Sequence, residues 1–290
     1  MQIRLLGAVD IQADSGSRDL SGLRRKAILA VLALRPGEFF TVDRIVNVVW
    51  GDGPPRSVVN TLQHHIAYLR RMLGNPDAIR WKPSGYVLQT YSDITDVMMA
   101  RRLVDEAKRE SAPRAAELLS AALDLWHGDA LGDLGGWDYF AREAQQLEEF
   151  RLSTIETLLE VRLQLGEHAD LVPELELLMP AHPFRERLRA SHVLALYRAG
   201  RQNDALSSYR QMRHLLNDEL GIDPGPALRA LEGSILRQDA VLDVQVRSAA
   251  ISEATTTADP ARDTDTDASA REDMSRPVAD TAVRLRHPPA

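Results

Sequence analysis

The spacing of apolar residues divides the first ninety residues into short elements. Residues 3–11 alternate loosely and carry β-branched side chains, which predicts a strand followed by a polar hairpin loop. Apolar residues then recur at helical spacing over residues 23–34, and Pro36 and Gly37 end that pattern. A second, shorter helix is predicted after Thr41, whose hydroxyl can cap its first turn. The pattern therefore predicts a small sheet followed by two helices.

A third helix, predicted over residues 56–73, has two distinct faces. Turn-rich segments precede it at residues 51–55 and follow it at residues 74–76. On a wheel of 100° per residue, its apolar stripe consists of Val58, Leu62, Ile66, Leu69 and Leu73, and the opposite face of Ser57, Asn60, His64, Tyr68 and Arg71. Residues 79–90 then read as two strands around a turn at residues 82–85. A strand, three helices and a terminal hairpin are typical of a winged helix-turn-helix.

Residues 94–238 read as amphipathic helix with short breaks. The breaks fall at residues 111–113, 132–136, 166–167, 180–183, 199–202 and 221–226. The segment YRAGRQNDALSSYRQM is similar to the tight helical pair of tetratricopeptide repeats, although no strict repeat of about 34 residues is present. From about Val244 the chain is rich in Ala, Thr, Asp, Arg and Pro, which predicts a disordered tail. We expect a mostly α protein, with a winged helix at residues 1–92, an all-α tetratricopeptide-like domain at 93–240 and a tail at 241–290.

Charge is distributed unevenly along the chain. The formal net charge is −7, yet residues 1–90 contain 12 Lys and Arg against 7 Asp and Glu. A basic first third joined to an acidic remainder favours a nucleic-acid module linked to a part that contacts protein. The chain contains no cysteine, and we find neither a signal peptide nor a membrane span in the sequence. We therefore expect a cytoplasmic protein.

Several other interpretations of single residues can be weighed from the sequence. His64 and His65 point about 100° apart on a helix and have no further ligand at a suitable spacing, so we expect no metal. Neither a phosphate-binding loop, nor HExxH, nor GxSxG occurs, and Glu143, Glu148 and Glu149 have the spacing of a solvated helix face. We therefore expect no enzyme, no catalytic residue and no cofactor. A helical scaffold whose N-terminal module binds protein, and an enzyme with an accessory DNA module, remain alternatives.

The sequence also resembles a known family. The stretch RRKAILAVLALRPGEFFTVDRIVNVVWGDGPPRSVVNTLQHHIAYLRRMLG, together with IRWKPSGYVLQ, closely resembles the DNA-binding domain of the Streptomyces antibiotic regulatory proteins, itself similar to the winged helices of OmpR-like response regulators. The region from LWHGDALGDL through HPFRERLRASHVLALYRAGRQNDALSSYRQM resembles the bacterial transcriptional activation domain of that family. The resemblance is to the small members, which carry neither a receiver domain nor an ATPase module.

The resemblance implies a transcriptional activator with double-stranded DNA and RNA polymerase as partners. It implies binding side by side to direct repeats near promoter −35 elements, a homodimer at least on DNA, recruitment of polymerase through its sigma factor, and control of an antibiotic or other secondary-metabolite gene cluster.

Site residues are carried over from the family by position. The recognition helix supplies Arg56, Ser57, Asn60, Thr61, His64, His65, Tyr68, Arg70 and Arg71; the wing supplies Arg80, Lys82, Ser84, Gly85 and Tyr86; helix one supplies Arg24, Arg25 and Lys26 for phosphates; the loop Trp50, Gly51, Asp52, Gly53, Pro54 and Pro55 can face polymerase. Within this set we expect Asn60, Thr61 and His64 to contact bases. We expect Arg70, Arg80 and Lys82 to contact the sugar–phosphate backbone or the narrow groove.

Overall fold

Two small antiparallel sheets and three helices form the N-terminal third of the protein. A computed structural model describes residues 2–13, 16–18, 20–89 and 94–243, and the predicted tail beyond residue 243 lies outside them. The sheets have the strand orders β1-β2-β3 and β4-β6-β5. Their strands are β1 (Gln2–Arg4), β2 (Asp10–Ala13), β3 (Gly16–Arg18), β4 (Phe39–Thr41), β5 (Ile79–Lys82) and β6 (Gly85–Leu88). The helices among them are α1 (Leu23–Leu34), α2 (Val42–Trp50) and α3 (Val58–Met72).

Helix α1 is the central element of this part. All residues from 27 to 34 are buried, so the C-terminal two thirds of the helix are surrounded by protein on every side. It packs against α2, α3 and β6. The amphipathic α2 and α3 therefore need to cover α1 with one face only, and their other faces are left for solvent.

Strand β4 was not predicted from the sequence. Its three residues are too few to show an alternating pattern, and the pairing of Phe40 with Tyr86 in β6 is what defines it. The same pairing brings the start of α2 beside the hairpin turn, where the Val42 amide donates to the Ser84 carbonyl at 2.9 Å. The hairpin formed by β5 and β6 is thus attached to the body through β4.

Seven α-helices follow within residues 94–243, and the predicted breaks lie at their joints. These helices are α4 (Asp96–Ala107), α5 (Ala112–Leu123), α6 (Asp138–Gln164), α7 (His168–Leu178), α8 (Glu186–Arg198), α9 (Gln202–Leu220) and α10 (Pro226–Arg237). Two expectations were wrong. Residues 3–11 do not form one strand, because residues 5–9 bend the chain between β1 and β2, and residues 124–131 form turns instead of helix. The apolar side chains of residues 124–131 have a helical period, but this segment packs on the bend after β1: the amides of His127 and Leu131 donate to the carbonyls of Leu6 and Leu5.

The winged helix and the first part of the helical domain share one hydrophobic core. Trp126, Leu131, Leu134 and Phe140 are buried together with residues of β1, α1, α2 and α3. A second core lies among the C-terminal half of α6 and helices α7 to α10, and a third among α4, α5 and α6. The predicted fold class, a small sheet-containing domain before an all-helical one, is confirmed. The domain boundary between residues 92 and 93 stays a prediction.

Candidate nucleic-acid interface

Helix α3 has one face in the core and one face in solvent. Leu62, Ile66 and Leu69 are almost completely buried, and Leu73 and Val58 extend the same side. The helix has no acidic residue in its first turn, so nothing offsets the positive end of its dipole there. Its opposite end carries Arg70 and Arg71, the charge that the negative end of the dipole favours.

A row of exposed side chains follows the outer face of α3. Asn60, Gln63, His64, Ala67 and Arg71 are all exposed and recur at the spacing of one helical face. Arg56 and Ser57 are exposed directly before the helix. Asparagine and glutamine amides, imidazole and guanidinium are groups that pair with base edges or with phosphate oxygens. This row has the chemistry of a major-groove contact.

The remaining predicted residues of the helix are partly engaged within the protein. The Thr61 hydroxyl donates to the Ser57 carbonyl at 3.1 Å, and the Arg70 Nε donates to the Ile79 carbonyl at 2.8 Å. His65 stacks on Trp50, and burial lowers its pKa, with smaller contributions from Arg25, Arg24 and His64. Thr61, His65 and Arg70 thus already contact other residues of the protein, namely Ser57, Trp50 and Ile79.

Tyr68 lies elsewhere than its wheel position suggests. It is half-buried against the core of the winged helix instead of standing in the exposed row. The guanidinium of Arg25 lies 4.1 Å from the centre of its ring, so α1 covers it from the side. The structure revises the expectation that Tyr68 belongs to the polar face.

The tip of the hairpin presents a second exposed group of residues. Arg80, Trp81, Lys82 and Ser84 are exposed, and the indole of Trp81 is 54% exposed while its edge packs on Tyr86. Ser84 has a φ of 70°, which turns the chain at the tip. We call the exposed segment of residues 80–84 the wing tip.

Two predicted wing residues are part of the fold. Tyr86 is only 4% exposed, and burial raises the pKa of its hydroxyl. Gly85 is also buried, and a Cβ atom at this position would overlap the carbonyl oxygen of Phe40. The structure therefore removes Gly85 and Tyr86 from the expected contact set, because their positions pack β6 against β4 and β5.

The three basic residues at the start of α1 have different surroundings. Arg24 is exposed, with its guanidinium 5.8 Å from the Trp50 ring, and Arg25 lies over Tyr68. Lys26 instead points to the helical domain, where its Nζ lies 2.6 Å from the Asp133 carboxylate and both side chains are mostly buried. The expected phosphate contact is therefore revised for Lys26, since its charge is already paired inside the protein.

The loop expected to face polymerase is exposed except at its first residue. Gly51, Asp52, Gly53, Pro54 and Pro55 are all exposed. Trp50, in contrast, is 9% exposed and belongs to the core of the winged helix. The structure revises the expected role of Trp50, because its indole stacks on His65 and lies under the guanidinium of Arg24.

Two residues of this surface were missed by sequence reasoning. Gln63 lies three residues after Asn60, so the helical period itself could have added it to the exposed row. Trp81 has no such signal, because an aromatic residue in a short strand usually predicts core. Only the hairpin geometry shows its exposure.

The described part of the chain offers neither a metal site nor a membrane-spanning helix. No cluster of three or more His, Asp or Glu residues there has a geometry that could hold a metal ion. No helix there combines the length and the apolar character needed to cross a bilayer.

Two family models match the chain. The model described as "Transcriptional regulatory protein, C terminal" matches residues 22–88, and the model described as "Bacterial transcriptional activator domain" matches residues 95–236. These ranges correspond to the winged helix and to the helical domain of the structure.

Similar proteins and a similar solved structure are also known. The regulatory protein DnrI of Streptomyces peucetius is 36% identical over 257 residues, which cover 84% of this chain and 94% of DnrI. The regulatory protein AfsR of Streptomyces griseus is 37% identical over 243 residues, but the chain spans only 25% of that longer protein. The structure of Mycobacterium tuberculosis EmbR in complex with a low affinity phosphopeptide has a TM-score of 0.77 at 30% identity, covering 82% of this chain and 65% of that one.

A winged helix followed by a bacterial transcriptional activator domain defines a class of transcriptional regulators, not enzymes. Within that class, the chain belongs to the Streptomyces antibiotic regulatory protein family, as its similarity over nearly all of DnrI shows. The resemblance noted from the sequence motifs is thereby confirmed.

Proposed function

We propose that this regulator is a sequence-specific DNA-binding transcriptional activator that reads the major groove with the outer face of α3. The observation that carries the proposal is the exposed row on α3 together with an exposed, basic wing tip in the same domain. In winged and other helix-turn-helix proteins such a helix enters the major groove while neighbouring segments contact the backbone. The buried side of α3 gives the row a rigid support.

Within this surface we assign different roles to different side chains. Asn60, Gln63 and His64 are the candidates for base contacts, because their short or planar polar groups lie in the N-terminal half of the helix. Arg56, Arg71, Arg80, Lys82 and Arg24 are the candidates for phosphate or narrow-groove contacts, because they are exposed cations on or directly before the helices and at the wing tip of this domain. Trp81 can add an apolar contact at the wing tip.

Recruitment of RNA polymerase is the second part of the proposal. The exposed loop of residues 51–55 connects α2 to α3 and lies next to the proposed DNA contact. We propose that this loop and the helical domain contact polymerase, with the sigma factor as the target, while two copies bind side by side to a direct repeat near the −35 element. The family relationship supports a target promoter in an antibiotic or other secondary-metabolite cluster.

The test compares two variants on two DNAs with the full chain. The operator duplex is first isolated by in vitro selection with the protein, and a scrambled duplex of equal length is the reference. Asn60→Ala should reduce the preference for the operator by about 1–3 kcal/mol, because a base contact is lost. Lys82→Ala should weaken binding to both DNAs alike. It should also lower the slope of the logarithm of the binding constant against the logarithm of the salt concentration by about one. Binding is measured by fluorescence anisotropy over a range of salt concentrations.

Matched controls lie in the helical domain. Asn203 and Lys108 are exposed residues of the same two types, and their replacement by alanine should leave affinity, preference and salt slope at wild-type values. Equal binding of operator and scrambled DNA by the wild type would favour the alternative of a scaffold whose N-terminal module binds protein.

A comparison of duplexes that carry one repeat with duplexes that carry two then measures whether two copies of the protein bind side by side.

A further inference from the structure

A cavity of about 290 Å³ lies in the helical domain, away from the winged helix. Residues of α7, α8 and α9 line it on one side and it opens to solvent, and Met179 and Leu196 form apolar parts of its wall. Its polar wall contains Arg189 and His192 of α8 and Ser208 of α9. Small-molecule sites of proteins combine such an apolar wall with a few converging polar groups.

These three polar side chains form one hydrogen-bonded chain. The Arg189 Nη1 lies 3.2 Å from the Ser208 Oγ, which in turn lies 2.9 Å from the His192 Nδ1. A guanidinium only donates, so the serine oxygen accepts from Arg189. The hydroxyl proton of Ser208 is then free to be donated to His192 Nδ1. That arrangement leaves the single proton of a neutral imidazole on Nε2.

The surroundings of His192 favour its neutral form. The residue is 6% exposed, and burial lowers its pKa, with a smaller contribution from Arg189 in the same direction and an opposing one from Glu176. In that form Nε2 carries a hydrogen, and this nitrogen is a buried donor on the side of His192 that faces Glu176 of α7.

Two buried donors of the cavity wall lack an acceptor within 3.5 Å among the described residues. Neither the Arg189 Nε nor the His192 Nε2 has a hydrogen-bond partner among the residues that the structure describes. Buried donors are almost always paired in proteins, so two orphaned ones beside the same cavity require an explanation. The Glu176 carboxylate lies 3.7 Å from His192 Nε2, beyond hydrogen-bonding distance, and is 54% exposed at the rim.

The charge of Arg189 is also uncompensated. Burial lowers the pKa of its guanidinium, and within the described residues it forms no ion pair with a carboxylate. Arg201 at the rim differs, because its Nε lies 2.7 Å from Asp204. The cavity thus contains one unpaired cation and two unpaired donors, which are the groups that surround bound oxyanions in proteins.

We propose that this cavity is a binding site for a small metabolite that carries an oxyanion, with Arg189 and His192 as its donors. A carboxylate or a phosphate group supplies the acceptors that both nitrogens lack, and its charge compensates the partly buried guanidinium. The volume of about 290 Å³ is at the lower end of the range for small-molecule sites. This proposal is independent of DNA binding.

The first test titrates the full-length protein with inorganic phosphate and, separately, with acetate. Ionic strength is held constant with sodium chloride, and the melting temperature and the heat of binding are recorded. We expect saturable binding of one anion per chain and a melting temperature that rises with the logarithm of its concentration. Saturation by phosphate alone identifies a phosphate ligand, by acetate alone a carboxylate, and by both a general oxyanion site. Saturation by neither overturns the proposal.

Variants place the anion at this cavity. Arg189→Gln should weaken binding by at least about tenfold, because it removes a charge-assisted hydrogen bond. Arg210→Gln, an exposed position on α9, should bind as the wild type does. Unchanged binding by Arg189→Gln would overturn the assignment. If Arg189→Gln does not fold, Glu176→Gln is the decisive variant. This exposed substitution removes negative charge at the rim of the cavity, so it should tighten anion binding several-fold. Unchanged or weaker anion binding by Glu176→Gln contradicts the proposal.

Discussion

At the scale of single residues, Gly85 shows how closely the wing is packed on the body. The ring of Phe39 and the carbonyl oxygen of Phe40 occupy the space where a Cβ atom of residue 85 would lie. This close approach joins β6 to β4. The requirement for glycine is here a matter of space and not of backbone conformation.

We expect Gly85→Ala to reduce the free energy of unfolding by about 1–3 kcal/mol, because the added methyl group forces β4 and β6 apart. Gly53→Ala is the matched control, since open space surrounds that position, and its effect should stay within roughly 0.5 kcal/mol. Urea denaturation of both variants measures the difference. Equal stability of the two variants would show that β4 can shift away from β6 without a loss in the free energy of unfolding.

Asp96 is a second residue of structural importance, at the start of α4. Its carboxylate accepts hydrogen bonds from the amides of Leu5 and Leu6 at 2.9–3.0 Å and from that of Val97 at 2.8 Å. Burial raises its pKa to about 6, although these donors and Arg4 act in the opposite direction. The carboxylate ties the turn after β1 to the helical domain.

The raised pKa of Asp96 predicts a pH dependence of stability. Between its ordinary pKa of 3.8 and about 6, the folded chain binds this proton more tightly than the unfolded chain. The contribution of Asp96 to the free energy of unfolding therefore falls as the pH rises through that interval, by about 3 kcal/mol in total. The stability of wild type minus that of Asp96→Asn, measured by urea denaturation, should decrease from pH 4 to pH 7.

A control and a contrary outcome complete this experiment. The exposed Asp105, paired with Lys108, is replaced by asparagine in parallel and should show no such decrease. A difference between wild type and Asp96→Asn that grows with pH would mean that the amide donors outweigh burial and hold the pKa below its ordinary value.

At the scale of elements, α3 separates stability from recognition on two faces of the same helix. Ile66 is 1% exposed within the core of the winged helix, whereas Gln63, three residues earlier, is exposed in the row proposed to face DNA. Mutations on the buried face should therefore reduce stability, and mutations on the exposed face should reduce DNA preference.

We expect Ile66→Ala to lower the free energy of unfolding by about 2–5 kcal/mol through the cavity it leaves. Gln63→Ala should change stability by less than roughly 0.5 kcal/mol, while reducing the preference for operator over scrambled DNA. Denaturation and anisotropy on both variants test this. Loss of stability in Gln63→Ala, or wild-type DNA preference in that variant, would contradict the assignment of faces.

At the scale of the whole molecule, the winged helix and the start of the helical domain behave as parts of one packed body. Phe140 of α6 is completely buried in the core that contains α1, and the indole nitrogen of Trp137 donates to the Val49 carbonyl at 3.3 Å. Arg35, just after α1, contacts Tyr139 and Glu143 of α6. These contacts predict cooperative unfolding of the two parts.

Phe140→Ala should therefore destabilise the winged helix although it lies outside it. We expect a loss of about 3–5 kcal/mol and reduced hydrogen-exchange protection for amides of α1 as well as of α6. Leu177→Ala, at an exposed position of α7, should leave the free energy of unfolding and the hydrogen-exchange protection unchanged. Protection of α1 that survives Phe140→Ala would show that the winged helix unfolds independently.

The sequence alone determined most of the elements and the outer face of α3. Helical periodicity is a property of consecutive residues, so it predicted α1 to α3, the joints between the later helices, and the exposure of Asn60, His64 and Arg71. The family motifs extended this to the class of regulator. Elements of three residues, such as β4, were missed because so short a segment contains no period.

Only the tertiary structure decided which polar groups meet. Lys26 and Asp133 lie more than a hundred positions apart, and nothing local to either predicts their ion pair. The same holds for the turns at residues 124–131 and for the unpaired donors of Arg189 and His192. Burial of a polar side chain depends on what packs over it from distant segments, and a pattern along the chain carries no information about those partners.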